Sequence, residues 1–329
     1  MTSSQDSNAS LAALLQSAAL APLDNVGWLR VTGPDRLRWL NGMVTNSIQQ
    51  LTPGVGCYNF VLNAQGQIQG DLTAFLLPDA ILLQTSRDQL AKLLAQLDHF
   101  IIMDDVELAE ISEPRSGLLL VGPQSAALLT SIGLATQPHD SLYLESTLWN
   151  AAPVDILHAH SPLVPRLELW ADPATTQQLA AALVAAGAAQ ANSESLEDLR
   201  LLEGTPRYGT DIRERDLPQE TSQTRALHFT KGCYIGQEIV ERIRSRGKVH
   251  RALSGFALTG SLPTPGTSLE ADGVPVAELT SVASILLPSH TEPTQLALGI
   301  IRREALDRNL PLTYLGGTAT PIPLPFAIL

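Results

Sequence analysis

Prolines and glycines are distributed differently on the two sides of residue 250, and this difference divides the chain into two kinds of sequence. Before residue 250, strand-like apolar runs alternate with amphipathic helical segments that are joined by short turns. Beyond it, prolines and glycines separate short apolar runs at residues 254–258, 274–279, 284–287 and 297–301. Closely spaced short strands with turn residues between them are typical of a compact β domain. The sequence therefore predicts a mixed α/β or α+β fold with a β-rich carboxy-terminal domain.

The front of the chain carries the clearest local predictions. Residues 1–10 are rich in Ser, Asn and Asp and are expected to be disordered, with a short helix over residues 11–20. Two strands are predicted at residues 58–62 and 71–77, joined by the turn Asn63-Ala-Gln-Gly66. The predicted domain limits are a partly disordered segment over 1–19, an α+β domain over 20–250 and a β domain over 251–329.

Charge and hydropathy exclude two classes of partner. The formal net charge is −12, which argues against direct, sequence-independent binding to nucleic acid, because such binding needs a basic surface. No apolar run approaches the ~18 residues of a membrane span, so no membrane partner is expected. The first basic residue is Arg30, and a secretory signal or transit peptide would carry basic residues earlier. These observations favour a cytoplasmic protein.

Common catalytic and metal-binding signatures are missing from the sequence. It contains no GxxxxGK[ST], GxGxxG, HExxH or GxSxG pattern. His158 and His160 flank Ala159 and would share one face of a strand. Two histidines make a poor metal site, because metal ions usually take three or more protein ligands. No metal site is therefore predicted.

The segment Lys231-Gly-Cys-Tyr-Ile-Gly-Gln-Glu238 concentrates the reactive residue types of the chain. Ile235, Ile239 and Ile243 recur at helical spacing, which places Cys233 at or just before a helix amino terminus. Backbone N–H groups there, together with Lys231, would favour a reactive thiolate. The competing interpretation is that Cys233 fills a gap in the core, as free cysteines often do. The second cysteine, Cys57, begins an apolar strand and is expected to be inert, with a pKa raised by burial.

This octapeptide resembles the KGC(Y/F)xGQE signature of the YgfZ group in the YgfZ/GcvT family. Further resemblance lies at Leu217-Pro-Gln-Glu220, at residues 200–211, and over residues 51–72. The resemblance implies a GcvT-like fold, in which two interleaved α+β units and a carboxy-terminal β-barrel surround a central pocket for tetrahydrofolate or a derivative. Gly70 stands beside Asp71 where aminomethyltransferases of the wider family have a second acidic residue. This departure favours the YgfZ branch, which is associated with iron–sulfur enzymes and the tRNA modifications that depend on them.

A reduced folate combines a pterin with N–H donors, an apolar middle and an acidic tail, and each part selects candidate residues. For the pterin edge the candidates are the carboxylates of Asp71, Glu203 and Glu220. Trp28 and Tyr208 are candidates for stacking on the ligand. Arg242 is the candidate for the acidic tail, within a basic run that also contains Arg244, Arg246, Lys248 and Arg251. The competing interpretations are a cap, turn or surface role for the carboxylates, a core role for Trp28, and a solvated face in which Glu238 and Glu241 pair with the arginines.

Three functional classes remain open from the sequence. The first is a folate-dependent accessory protein for the synthesis or repair of iron–sulfur enzymes, in which Cys233 and Lys231 act chemically. Its partners would be folate and iron–sulfur proteins or their assembly factors. The second is a tetrahydrofolate-dependent aminomethyltransferase or other C1-transfer enzyme, for which Asp71 is the candidate base. The third is a folate-binding protein without catalytic activity.

Overall fold

The chain forms two compact units, each assembled from separate stretches of sequence. The computed structural model describes residues 2–247 and 249–327, with side chains from residue 6 onward except that of Arg246. The two-sheet unit comprises Ala13–Ala191 and Arg225–Gln237. The barrel unit comprises Met1–Ala12, Asn192–Thr224 and Glu238–Leu329. The domain limits at residues 19 and 250 stay a prediction, although the barrel strands begin at Arg251.

Helices are distributed over both units. In the described ranges they are α1 (Thr2–Gln16), α2 (Arg36–Met43), α3 (Arg87–Asp98), α4 (Ser125–Ser131), α5 (Pro173–Ala185), α6 (Ser193–Leu202), α7 (Gln237–Arg246) and α8 (Arg303–Asp307). Among the residues that the structure describes, none of these helices combines the length and apolarity needed to cross a membrane.

The two-sheet unit contains two mixed or antiparallel sheets. Its strands are β1 (Ala19–Pro22), β2 (Val26–Thr32), β3 (Gly56–Leu62), β4 (Ile68–Leu76), β5 (Ile81–Ser86), β6 (Glu107–Glu110), β7 (Ser116–Val121), β8 (Tyr143–Trp149), β9 (Ala152–His158), β10 (Arg166–Ala171) and β11 (Ala189–Gln190). One sheet has the order β11-β1-β7-β10-β9-β8, and the other has the order β3-β4-β5-β2-β6.

Hydrophobic residues form three layers inside the two-sheet unit. One layer lies between the β3-β4-β5-β2-β6 sheet and helices α2 and α3. A second lies between the other sheet and helices α4 and α5. The third joins the two sheets, with Trp28, Phe75 and Leu82 on one side and Leu144, Leu157 and Trp170 on the other. Both faces of each sheet are therefore covered in this unit, and polar side chains on the inner faces need partners within it.

The β3–β4 hairpin sets the register on which the candidate site depends. The Asn63 side chain accepts hydrogen bonds from the backbone N–H groups of Gln65 (3.0 Å) and Gln67 (2.9 Å). These bonds close the turn, as expected for asparagine in a turn. Phe60 pairs with Asp71 across the two strands. The hairpin predicted from the sequence is thus confirmed.

Strands after residue 250 close into a barrel. They are β12 (Arg251–Gly260), β13 (Ser268–Ala271), β14 (Val274–Ile285), β15 (Thr294–Arg302), β16 (Leu312–Tyr314) and β17 (Gly317–Ile322). Their order is β12-β15-β14-β13-β16-β17, and the barrel is closed. Apolar side chains such as Phe256, Leu279 and Ile301 fill its core and have no exposed surface. The predicted β-rich carboxy-terminal part is confirmed.

The amino-terminal segment differs from its prediction. Helix α1 runs from Thr2 to Gln16, whereas disorder was expected through residue 10 and a helix from 11 to 20. The hydroxyl of Ser7 donates to Glu194 (2.7 Å), and the hydroxyls of Ser10 and Ser195 are 2.6 Å apart. These long-range bonds hold polar residues in a helix that their local composition does not favour. The helix ends before Ala19 because that residue enters strand β1.

Candidate functional site

The carboxylate of Asp71 is the centre of the candidate site in the two-sheet unit. It lies on β4, on the same sheet face as Tyr58 of β3. The Tyr58 hydroxyl donates to Oδ2 of Asp71 at 2.5 Å, and Nε2 of Gln89 donates to Oδ1 at 2.7 Å. The side-chain oxygen of Gln89 in turn accepts the Asp71 backbone N–H at 2.9 Å. Two neutral donors therefore hold the carboxylate in a fixed orientation.

Burial and a nearby arginine set the electrostatics of this site. Burial raises the pKa of Asp71, while the hydrogen bonds from Tyr58 and Gln89 and the charge of Arg225 act in the opposite direction. Burial and the Asp71 charge raise the pKa of Tyr58 well above its ordinary value. The Arg225 guanidinium lies 4.2 Å from the centre of the Tyr58 ring. Burial, Arg225 and Arg166 lower the pKa of His160 to about 4, so this imidazole is neutral at pH 7.

The position beside Asp71 has little room for a side chain. A Cβ atom at Gly70 would lie 2.7 Å from a methyl carbon of Leu93 and 2.9 Å from the side-chain oxygen of Gln89. Gln89 is the residue that orients the Asp71 carboxylate. A second carboxylate at position 70 would therefore require the partner of the first one to move.

Lys231 points into the two-sheet unit, where backbone carbonyl groups hold its side chain. Its ammonium group donates to the backbone oxygens of Asn41 (2.7 Å), Val44 (2.7 Å) and Asn46 (2.5 Å). An ammonium group has three N–H donors, and these three carbonyl groups occupy all of them. Burial lowers the pKa of Lys231 to about 8. Lys231 therefore anchors the end of α2 and the loop after it, and its predicted action on Cys233 stays a prediction.

Cys233 is an exposed free thiol that lies before helix α7 rather than at its start. The sequence predicts a helix that begins at or just after Cys233, whereas α7 begins only at Gln237. Gly236 has a φ of +81°, and a Cβ atom there would lie 2.6 Å from the backbone oxygen of Asn63. This left-handed, closely packed glycine prevents the helix from continuing back to Cys233. The thiol is accessible, but it does not stand at the helix amino terminus that the sequence predicts there.

Cys57 lies on the opposite face of the β3–β4 hairpin from Asp71. It is buried, and this burial raises the pKa of its thiol to about 11. The direction of this shift is the predicted one. The charge of Lys231 acts against the shift.

Trp28 occupies the core of the two-sheet unit. Its ring has no exposed surface and packs edge-on against Trp170 at 5.2 Å. The guanidinium of Arg115 covers the Trp28 ring at 4.9 Å. Phe75 also contacts it, with ring centroids 6.3 Å apart. The predicted stacking of a ligand on Trp28 is therefore replaced by core packing in this conformation.

The remaining predicted ligand residues belong to the barrel unit. Glu220 accepts hydrogen bonds from the Arg251 side chain at 2.9 and 3.1 Å and from the Leu217 backbone at 3.0 Å. This ion pair holds Glu220 against its own segment, and its role as a pterin ligand stays a prediction. Glu203 is buried at the end of α6, and Tyr208 is half-buried, and their ligand roles stay predictions.

Arg242 lies on the exposed face of α7. Its guanidinium donates to Glu238 at 2.6 Å, and both side chains are exposed. Arg244 pairs with Glu241 at 3.6 Å. The structure thus gives the solvated, paired face rather than a free cationic site at Arg242. The Arg246 side chain and Lys248, which also belong to the predicted basic run, lie outside the described residues.

Sequence reasoning missed Tyr58, Gln89 and Arg225. The hairpin register offered a signal for Tyr58, because the turn at residues 63–66 determines which side chains share the face of Asp71. Arg225 reaches the site through tertiary structure. The side chain of Asn46 donates to the Arg225 backbone oxygen at 2.8 Å and to the Tyr58 backbone oxygen at 3.1 Å. No spacing pattern in the sequence encodes that juxtaposition.

Comparison with known proteins shows a family and relatives to which this chain is similar. The profile of the family described as the GCVT N-terminal domain matches residues 2–231. The tRNA-modifying protein YgfZ of Yersinia pestis (strain Pestoides F) is 28% identical over 256 residues, which cover 76% of this chain and 74% of that protein. An Arabidopsis thaliana chloroplastic protein, named provisionally as a transferase, is 25% identical over 288 residues. That alignment covers 86% of this chain but only 65% of the plant protein, so the chain spans less than two thirds of its length.

Among solved structures, the glycine cleavage system aminomethyltransferase T from Bartonella henselae has a similar fold. The TM-score is 0.86 at 19% sequence identity, and the alignment covers 98% of this chain and 89% of that protein. At this identity the likeness concerns the fold alone. It confirms the predicted α+β fold class with a carboxy-terminal β-barrel.

Proposed function

The chain belongs to the YgfZ/GcvT family, and from this membership we propose that it is a tetrahydrofolate-binding accessory protein. In this proposal it supports the synthesis or repair of iron–sulfur enzymes, including those that modify tRNA. The observation that carries the folate assignment is the carboxylate of Asp71, oriented by Tyr58 and Gln89 beside Arg225.

The hydrogen bonding of Asp71 suits a pterin ring. Each carboxylate oxygen can accept two hydrogen bonds, and Tyr58 and Gln89 supply one to each. The remaining acceptor sites can receive N–H groups along the pterin edge, while the rigid hairpin keeps the carboxylate in place. Arg225 adds positive charge on the same side, which favours a ligand that carries carboxylates of its own. In this proposal Asp71 recognises the pterin, and the arginine contributes to binding the whole anion.

Calorimetry with tetrahydrofolate and 5-formyl-tetrahydrofolate tests the folate assignment. Saturable binding is expected for the full chain. Asp71→Asn should weaken it by about 1–3 kcal/mol, because a hydrogen bond to a charged group is lost. Asp155→Asn is the matched control, since Asp155 is a half-buried carboxylate of the same unit that binds Arg115 at 2.7 Å and Ser146 at 2.5 Å. Absence of heat with both folates, or equal losses in the two variants, would remove the assignment.

The accessory role depends on the exposed thiol of Cys233. Iodoacetamide should label Cys233 in the native protein and Cys57 only on unfolding, because Cys233 is exposed and Cys57 is buried. In a strain that lacks this protein, Cys233→Ala should restore less activity of an iron–sulfur tRNA-modifying enzyme than the wild-type chain does. Folate affinity of the variant should be unchanged. Thr230→Ala, at an exposed position of the same segment, is the matched control. Full restoration by Cys233→Ala would exclude a chemical role of the thiol.

A C1-transfer enzyme is the second candidate, and the raised pKa of Asp71 favours it. A carboxyl group with a raised pKa is better suited to accept and release a proton near neutral pH. The crowded position at Gly70, however, leaves no second carboxylate for the aminomethyltransferase reaction. An assay with an aminomethylated lipoyl carrier and tetrahydrofolate should therefore give no methylene-tetrahydrofolate above background. Turnover that is lost in Asp71→Asn would establish the transferase instead.

A further inference from the structure

A second cluster of polar side chains lies in the two-sheet unit on the β8–β9 hairpin. We propose that His139, Glu145 and His158 form a binding site for a single zinc ion, independent of the folate assignment. The three residues each offer one ligand atom, and these atoms all lie within 4.8 Å of one another. In the sequence, His158 is paired with His160 on the other side of Ala159. The fold instead brings His158 together with a histidine from the preceding loop.

The strand register places two of the ligands side by side. Tyr143 pairs with His158 across β8 and β9, and Glu145 pairs with Ile156. Glu145 and His158 are therefore diagonal neighbours on one face of the hairpin, within reach of each other. Nε2 of His158 lies 3.4 Å from Oε1 of Glu145. A two-stranded scaffold thus holds a nitrogen and an oxygen ligand in nearly fixed positions.

The third ligand comes from the loop between α4 and β8. The ring of His139 stacks on that of Tyr143, with centroids 3.8 Å apart and an interplanar angle of 16°. This stacking directs Nε2 of His139 toward the other carboxylate oxygen of Glu145, at 3.8 Å. The Leu142 backbone N–H donates to the His158 oxygen at 2.6 Å, which ties the end of the loop to β9.

The donor atoms lie close enough to converge on one zinc ion. Tetrahedral ligands at ~2.1 Å from zinc stand about 3.4 Å apart, and Nε2 of His158 lies 3.4 Å from Oε1 of Glu145. Nε2 of His139 lies 3.8 Å from the other oxygen, Oε2, and one ligand atom from each residue lies within 4.8 Å of the others, so zinc binding requires the His139 or Glu145 side chain to move closer. Two imidazoles and one carboxylate are a ligand set that zinc accepts, with one position left for water or an external ligand. Thr136 lies beside the three residues. Its hydroxyl donates a hydrogen bond to the carboxylate of Glu145 and lies 2.9 Å from Nε2 of His158. When zinc binds Nε2 of His158, the Thr136 hydroxyl loses its contact with that nitrogen but can still orient the Glu145 carboxylate.

Titration with metal alone tests this site. The full chain carrying Cys233→Ser, which removes the exposed thiol as a competing ligand, is freed of metal with a chelator and titrated calorimetrically with zinc chloride. One zinc ion per chain is expected. His139→Ala and Glu145→Gln should each weaken binding at least about tenfold, as the loss of even a supporting residue does in known sites. Cobalt(II) should give the visible absorption of a tetrahedral complex, and both variants should lose it.

His160→Ala is the matched control, because His160 lies two residues beyond His158 but is not one of the three clustered residues. The charges that act on its imidazole are those of Arg225 and Arg166. It should bind zinc as the parent does. Glu145→Gln preserves shape, and circular dichroism of each variant separates loss of a ligand from loss of fold. No zinc binding by the parent, unchanged affinity in folded His139→Ala and Glu145→Gln, or an equal loss in His160→Ala would each overturn the proposal.

Discussion

Two carboxylates of this chain are held by opposite means. Asp71, in the two-sheet unit, accepts hydrogen bonds from a phenol and an amide, and burial raises its pKa. Glu220, in the barrel unit, accepts two hydrogen bonds from the guanidinium of Arg251 and one from a backbone N–H group. Neutral donors orient a carboxylate without neutralising it, so Asp71 keeps charge and acceptor capacity for a ligand. The arginine partner of Glu220 instead compensates the negative charge and occupies acceptor sites, so this pair stabilises its own segment.

The largest expected change in stability comes from removing Arg251, the partner of Glu220. Arg251→Met should lower the free energy of unfolding by about 3 kcal/mol or more, since it leaves buried carboxylates without their cation. The Glu220 and Asp216 side chains that bind Arg251 are only 6% and 4% exposed. Urea denaturation followed by circular dichroism measures the loss, and Arg251→Lys should lose less because it keeps the charge. A loss below about 1 kcal/mol in Arg251→Met would show that the ion pairs of Arg251 contribute no more than exposed ion pairs do, and would contradict this prediction.

Removing a neutral donor from Asp71 should have a smaller effect. Tyr58→Phe deletes the hydroxyl that donates to Oδ2, and the expected loss of unfolding free energy is ~1–3 kcal/mol for a hydrogen bond to a charged group. Tyr314→Phe is the control, because that hydroxyl donates to the backbone oxygens of Thr259 and Ser261 and not to a carboxylate. Urea denaturation of the two variants at pH 7 compares them directly. An equal or smaller loss in Tyr58→Phe would show that the charge on Asp71 contributes nothing to its hydrogen bond.

The raised pKa of Asp71 predicts a pH dependence of stability with a definite sign. Between the ordinary pKa of 3.8 and the raised value, the folded chain binds more protons at Asp71 than the unfolded chain. Stability from this group is therefore complete below the ordinary pKa and declines as the pH rises through the raised value. Asp71→Asn cannot titrate, so its unfolding free energy should increase relative to the wild type as the pH rises from 4 through the raised pKa of Asp71.

A second aspartate gives the opposite sign and serves as the control for this measurement. Hydrogen bonds from the Thr175 side chain and backbone lower the pKa of Asp172, which caps α5. Stability from Asp172 is present above its ordinary pKa and is lost as the pH falls through the lowered value. Relative to the wild type, Asp172→Asn should therefore recover stability only below pH 4. Parallel pH profiles for the two variants would contradict the assignment of burial as the dominant effect at Asp71.

The smallest effect is expected at Arg242. Its pair with Glu238 is exposed, and such pairs contribute about 0–1 kcal/mol. Arg242→Ala should therefore change the unfolding free energy by less than about 0.5 kcal/mol and leave tetrahydrofolate affinity unchanged. A clear fall in affinity would restore the role in binding the folate tail that the sequence predicted for this residue.

Local sequence predicted the features that depend on neighbours in the chain. Asparagine and glycine at residues 63–66 close the β3–β4 turn, and the proline and glycine spacing after residue 250 indicates the barrel. The position of Arg225 beside Tyr58 depends instead on long-range bonds from Asn46. The same holds for Lys231, whose direction is set by three carbonyl groups near the end of α2. Chemically reactive residue types were visible in the sequence, but the orientation of each side chain was not.

Gly236 fits against the β3–β4 turn so closely that a single added carbon would lie 2.6 Å from Asn63. Residues 63 and 236 must therefore meet before the two-sheet unit is complete, although most of the chain lies between them. During synthesis on the ribosome, the amino-terminal strands emerge long before their last packing partner is made. Closing so long a loop is entropically unfavourable and is compensated only when the segment 225–237 arrives. A chain that stops before this segment would leave the carbonyl groups that Lys231 binds without their donor, so the signature octapeptide also marks the point at which this unit can first finish folding.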